Sequence, residues 1–171
     1  MSSKVPIKLT QNWIEHFVLA HNLCPFAHVP FHSDRIRYSV CETTDLPLAH
    51  SAFIDELLWL ENHPNTQTTF LILSDSQISF FEYLDLIADA EDTLRESGLE
   101  TTYQIASFHP DYCFEDAPED DPANATNRSP LPMLHILRCS DVEKARHTHP
   151  DVEGIPTRNI QYLRQHLNLA L

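Results

Sequence analysis

Strand-like and helix-like segments alternate along this chain, and the alternation predicts an α/β fold with a mixed four-stranded sheet. Two further observations narrow the prediction. Helix-patterned segments separate the first three strands, as crossover helices between parallel strands would. No helix separates the third strand from the fourth, so the fourth runs antiparallel if the two are neighbours. The chain has 171 residues, enough for one real core and cramped for two, so residues 1–171 are expected to form a single domain.

Each element has its own local reason. Trp13, Phe17 and Ala20 repeat at helical spacing, with Ile14 and Val18 beside them, which predicts an N-terminal helix over 9–22. Pro25 limits its extension, and Pro30 leaves little room for a new helix after it. Residues 35–41 alternate in strand fashion. Asp45 and Pro47 then look like a helix start, and Phe53, Leu57 and Leu60 give that helix an apolar face ending before Pro64. Thr68 to Leu73 is a near-continuous apolar run typical of a central strand. Ser79 and Glu82 form a capping box for the next helix, and Gly98 stands where its C′ residue should be. Thr102 to His109 is the third strand and Leu134 to Arg138 the fourth. Ser140 and Glu143 form a second capping box, for a short helix ending before Pro150. Ile160, Leu163 and Leu167 share one face of a C-terminal helix over about 157–168.

Composition removes several function classes. Gly98 and Gly154 are the only glycines, where average usage gives about 12. Neither a Gly-rich phosphate loop, nor a dinucleotide fingerprint, nor a nucleophile elbow can be written with them. The net charge of −14 argues against a nucleic-acid partner. That charge is unevenly spread. Residues 38–127 hold 19 of the 25 acids and one base, Arg95, while the bases crowd the two ends. The end arginines have two open uses. They pair with the acidic middle, or they line a small basic pocket suited to a small anion. Cys24, Cys41, Cys113 and Cys139 contain no C-x-x-C pair, so zinc-knuckle and dithiol chemistry have no signature here. No apolar run approaches a membrane span and the N-terminus shows no signal-type apolar region, so a reduced, cytoplasmic protein with no membrane partner is expected.

The most informative stretch is the long proline-rich loop over 110–133. It carries Pro110, Pro118, Pro122, Pro130 and Pro132 and shows no period. A connection of that length inside a small domain is uncommon and is often functional. Its polar residues Asn124, Thr126, Asn127, Arg128 and Ser129 are hydrogen-bonding types rather than linker types. His109 ends the third strand and His135 opens the fourth. If those strands are antiparallel neighbours, both imidazoles and the loop gather at one rim of the sheet. Histidine titrates near neutrality and arginine forks bind carboxylate or phosphate. His109 and His135 are therefore the acid–base candidates. Asn127, Arg128, Arg138, Arg158 and Asn159 are the candidates for holding an anionic substrate. Arg158 and Asn159 are placed near the start of the last helix, where backbone N–H groups favour anions. Arg138, three residues after His135, points to the opposite strand face. His109, Asp111 and His135 could be written as a metal trio, but no spacing here is a metal signature, so no metal is assigned. Cys24 follows a helix and so sees the negative end of its dipole, which suits a buried structural thiol better than a thiolate.

The chain resembles a bacterial family, domain of unknown function 1415, over nearly its whole length. The resemblance is carried by Trp13-Ile14, by Asn22-Leu23-Cys24-Pro25-Phe26-Ala27 and by Ala106-Ser107-Phe108-His109-Pro110 with Tyr112 and Phe114. It continues through Asp121-Pro122, Asn124, Thr126-Asn127-Arg128-Ser129-Pro130, Pro132, His135, Leu137-Arg138, Ile155-Pro156 and Arg158-Asn159. Leu131 departs from it, standing where the family tends to carry an aromatic. The resemblance implies a small cytosolic bacterial protein and supplies neither activity nor cofactor. From the residues themselves, the leading expectation is an enzyme acting on a small phosphorylated or carboxylated metabolite. The alternative is a non-catalytic module that binds a ligand in the same pocket or presents its acidic face to a protein.

Overall fold

The computed structural model describes residues 3–74, 78–149 and 151–167. It has the expected four-stranded mixed sheet, built from β1 (Ile36–Cys41), β2 (Thr68–Leu73), β3 (Tyr103–Phe108) and β4 (Met133–Arg138). Strand order is β1-β2-β4-β3. β1 and β2 are parallel, and β4 is antiparallel to both of its neighbours, so β3 runs with β1 and β2. Two crossover helices, α3 (Leu46–Asn62) and α4 (Phe80–Glu96), connect the three co-directional strands. The second crossover steps over one sheet position, and β4 fills it.

Both crossover helices start as their sequences require. The Asp45 side chain accepts from the Leu48 N–H at 3.0 Å, with Pro47 in the first turn. Ser79 and Glu82 form a complete capping box. Gly98 follows α4 at φ +68°, a left-handed position where glycine lacks the Cβ penalty. On this face of the sheet Phe53, Leu57 and Leu60 of α3 and Tyr83, Leu86 and Leu94 of α4 bury Leu71, Leu73, Leu134 and Ile136.

The other face is covered by the N-terminal segment, and here the expected element changes. Helix α1 spans Lys4–Trp13, and the chain then continues as a π-helical segment, Ile14–Leu19. A π-turn bonds five residues back rather than four, so it rotates the buried stripe. Ile14 and Leu19, five apart, are buried, whereas Ala20 of the expected α-helical stripe is exposed. A short helix α2 (His28–His32) follows despite Pro30, which sits in the first turn where its missing N–H has no intrahelical partner to lose. With these elements, Phe70, Ile72 and Met133 of the sheet form a second core that includes Leu131. Leu131 is nine-tenths buried within this second core.

The two C-terminal helices also differ at their starts. Helix α5 (Cys139–Thr148) follows β4 directly with Arg138 as its N-cap and no side-chain cap, so Ser140 lies inside the first turn and its expected capping box does not form. Helix α6 (Gly154–His166) starts three residues before Thr157, where Asp151 Oδ1 accepts the Gly154 N–H at 3.0 Å. The expected end at Asn168 lies outside the described residues. Among the described residues no helix is long and apolar enough to cross a membrane.

Candidate functional site

The loop between β3 and β4 is ordered by its own polar groups. Asn124 is fully buried. Its Oδ1 accepts from the Phe114 N–H at 3.0 Å, and its amide donates to the Pro118 and Glu119 carbonyls at 2.8 and 3.2 Å. Asp121 caps the 3₁₀ turn Pro122–Thr126 and forms a two-point ion pair with Arg164 of α6, at 3.0 and 2.6 Å. That pair holds the Asp121 carboxyl below the usual carboxylate range. Arg128 donates to the Tyr112 and Glu119 carbonyls at 2.9 and 2.8 Å. The Asn127 amide donates to the Ser107 carbonyl at 3.0 Å, and its own carbonyl accepts from the His109 N–H at 3.2 Å.

His109 sits at the end of β3, at the expected rim, but on the α3/α4 face. It is 2% exposed and lies against Phe80 and Tyr83, 5.3 and 5.2 Å between ring centroids. The Asp111 N–H donates to Nδ1 at 3.0 Å. The proton is therefore assigned to Nε2, which donates to the Ile78 carbonyl at 3.1 Å. Burial holds this imidazole below its ordinary pKa. Both ring nitrogens are committed to backbone.

His135 is on the other face. β3 and β4 pair Phe108 with Met133 and Ala106 with His135. Paired residues share a face and successive residues alternate. His109 therefore falls on the side of Leu134, and His135 on the side of Phe70. The expected single rim cluster is not assembled: the sheet itself separates the two rings, and the trio of His109, Asp111 and His135 does not converge. Among the described residues no group of three or more His, Cys, Asp or Glu side chains is placed to hold a metal ion.

The remaining candidates are dispersed for similar geometric reasons. Arg138 ends β4 at the rim opposite the loop, where its guanidinium donates to the carbonyls of Leu60, His63 and Thr66 and to the Tyr103 hydroxyl. Arg158 and Asn159 lie in the second turn of α6 rather than at its N-terminus. They donate to the Asn22 and Leu23 carbonyls at 2.9 and 2.7 Å, clamping the turn after the π-helical segment.

That turn roofs a cavity of about 140 Å³ between the N-terminal segment and the sheet. Its helical side is formed by Trp13, Ile14, Val18, Leu23, Cys24, Phe26 and Ala27, and its floor by Phe70, Phe108 and His135. His135 stacks on Phe70 at 3.9 Å with 9° between the rings. Phe108 stands edge-on to Trp13 at 5.2 Å and lies 6.2 Å from His135. Burial pushes the His135 pKa down to about 3, so its ring is neutral at physiological pH. Burial also pushes the Cys24 thiol up, against the smaller effect of the Phe26 and Ala27 N–H groups. Among the described residues, the buried indole Nε1 of Trp13 and Nε2 of His135 have no hydrogen-bond partner.

Sequence reasoning placed His135 among the candidates but missed its surroundings. Trp13, Leu23, Phe26 and Phe108 are apolar and read as ordinary core, and Cys24 reads as structural. The available signal was their presence among the residues that carry the family resemblance; with His135, four separate stretches of it meet at this one cavity. Comparisons with curated proteins and with solved structures each found no match to the chain. A family described as a protein of unknown function, DUF1415, does match, over residues 6–169, and the chain belongs to that family.

Proposed function

We propose that the protein is a ligand-binding module whose cavity, between the π-helical segment and the sheet, receives a small and largely apolar molecule. The observation that carries this reading is the cavity of about 140 Å³. Protein interiors are otherwise close-packed. An engineered apolar cavity of about 150 Å³ in another protein binds benzene. The π-helical stretch supports the same reading, because such segments appear frequently at functional sites.

The acid–base reading has less support. A catalytic His109 would first have to give up hydrogen bonds from both ring nitrogens. Arg128, Arg138 and Arg158 bond to carbonyls in three separate places rather than around one anion.

Thermal denaturation with toluene tests the proposal. At ten times its dissociation constant a ligand adds about 1.4 kcal/mol, which raises Tm by about 3–6 °C for a chain of this length. Ala27→Leu fills the cavity with three further carbons and is expected to abolish the shift while the protein stays folded. The absence of a shift with toluene, benzene and ethylbenzene alike would refute the reading.

A further inference from the structure

We infer that copies of this chain associate head to tail, with the exposed stripe of α1 on one copy seated against the exposed stripe of α4 on the next. The contact is independent of the cavity.

Each helix leaves apolar side chains in solvent. On α1, Val5 and Leu9 are 47% and 44% exposed, and they line an open recess together with Lys4 and Lys8. On α4, Phe81 and Leu84 are 79% and 40% exposed, and Ala88 one turn further on is exposed as well. Residues three and four apart are neighbours on a helix surface, so each set is a stripe rather than a lone apolar residue. Covering the stripes removes apolar surface from water, and the Phe81 ring carries the largest share.

Charge selects the occupant. Lys4 and Lys8 are the only charged side chains of α1. The first three turns of α4 carry Glu82, Asp85 and Asp89 and no base, and Glu82 is used in the capping box. Among the described residues, Lys4, Lys8, Asp85 and Asp89 have no ion-pair partner. The lysines are four residues apart and so are the aspartates, so the two pairs match in spacing. They also match in hand. Successive residues turn by about 100°. Viewed from the N-terminus, the aspartates of α4 lie clockwise of its apolar stripe, whereas the lysines of α1 lie anticlockwise of theirs. Laid parallel, the two helices meet apolar side to apolar side and lysine to aspartate. Pairing α1 with α1, or α4 with α4, brings like charges together.

The fold makes this contact intermolecular. Helix α4 packs on the sheet face of Leu71 and Leu134, and α1 packs on the face of Phe70 and Ile72. The sheet thus holds the two stripes of one chain apart. Each copy offers one stripe of each kind, which is a heterologous contact that closes into a ring or propagates. A contact between two single helices is small and belongs with transient interfaces. The net charge of −14 on each copy opposes it. At about 150 mM salt the Debye length is about 8 Å, so distant repulsion is screened while charges in contact still attract.

Sedimentation equilibrium of the full chain at that salt tests the inference. The weight-average mass of wild type should rise above the monomer value as concentration is raised, and Phe81→Ser should hold it at the monomer value. Lys4→Glu/Lys8→Glu and Asp85→Lys/Asp89→Lys should each stay monomeric alone and associate when mixed, because each then supplies the stripe that the other lacks. Association in the mixture also shows that both variants are folded. Wild type that stays monomeric throughout overturns the inference. Association that survives Phe81→Ser, or that persists in either charge variant alone, overturns it too. So does a mixture of folded variants that stays monomeric while wild type associates.

Discussion

His135 illustrates how one residue's burial becomes a measurable property of the whole chain. Its pKa is pushed down to about 3 from an ordinary value near 6.5. The folded state therefore keeps the ring neutral while the unfolded state takes up a proton below pH 6.5. Stability from this residue is complete above that pH and is lost as the pH falls toward 3. The expected loss between pH 7 and pH 5 is about 2 kcal/mol. Urea denaturation at the two pH values, compared between wild type and His135→Phe, isolates it, because other histidines titrate in both. An equal pH dependence in the two proteins would show that the ring is not held neutral. Cys24 supplies a second check on the same wall. With its thiol pushed up by burial, alkylation by iodoacetamide at pH 7 should be much slower than for a free cysteine, and toluene should slow it further.

At the scale of elements, the β3–β4 loop acts as a framework held by Asn124. Asn124→Ala removes one acceptor and one doubly used donor, and leaves the Phe114 N–H and the Pro118 and Glu119 carbonyls without them. The expected cost is about 2–3 kcal/mol, with faster proteolysis between residues 113 and 121 and unchanged cleavage elsewhere. The strands and the two crossover helices were legible in the sequence because apolar spacing, Asp45, and the Ser79 and Glu82 pair all agreed on them. The elements that differed share a physical cause: their local signals were overridden or too short to read. The π-turn displaces a stripe that α-helical spacing predicts. The five residues of α2 are too few to show a period. At α5, β4 runs straight into the helix, so Ser140 enters the first turn instead of capping it. The site was less legible than the fold because it depends on strand parity. Placing His109 and His135 at adjacent strand ends was sound topology. A register pairing His135 with Ala106 still puts them on opposite faces.

Across the whole molecule, the uneven charge resolves into two kinds of use. Arg37 pairs with Glu56, and Arg164 pairs with Asp121, as the acidic middle suggested. Arg128, Arg138 and Arg158 instead clamp carbonyls that are distant in sequence. Arg138→Ala should therefore cost about 2–3 kcal/mol of stability, a loss that an arginine kept free to hold a substrate would not produce. The remaining acids lie mostly on solvated surface and repel one another under a net charge of −14. Salt separates this background from the site. Raising sodium chloride from 20 to 300 mM shortens the Debye length from about 20 Å to about 6 Å, so self-repulsion fades and Tm should rise. A fall in Tm would mean that ion pairs outweigh the repulsion. Toluene affinity should stay nearly constant over the same range, since neither ligand nor cavity carries charge at pH 7. An anion held by arginines would instead lose affinity progressively with salt. Tm and affinity measured in one titration series thus report separately on the charged surface and the neutral cavity.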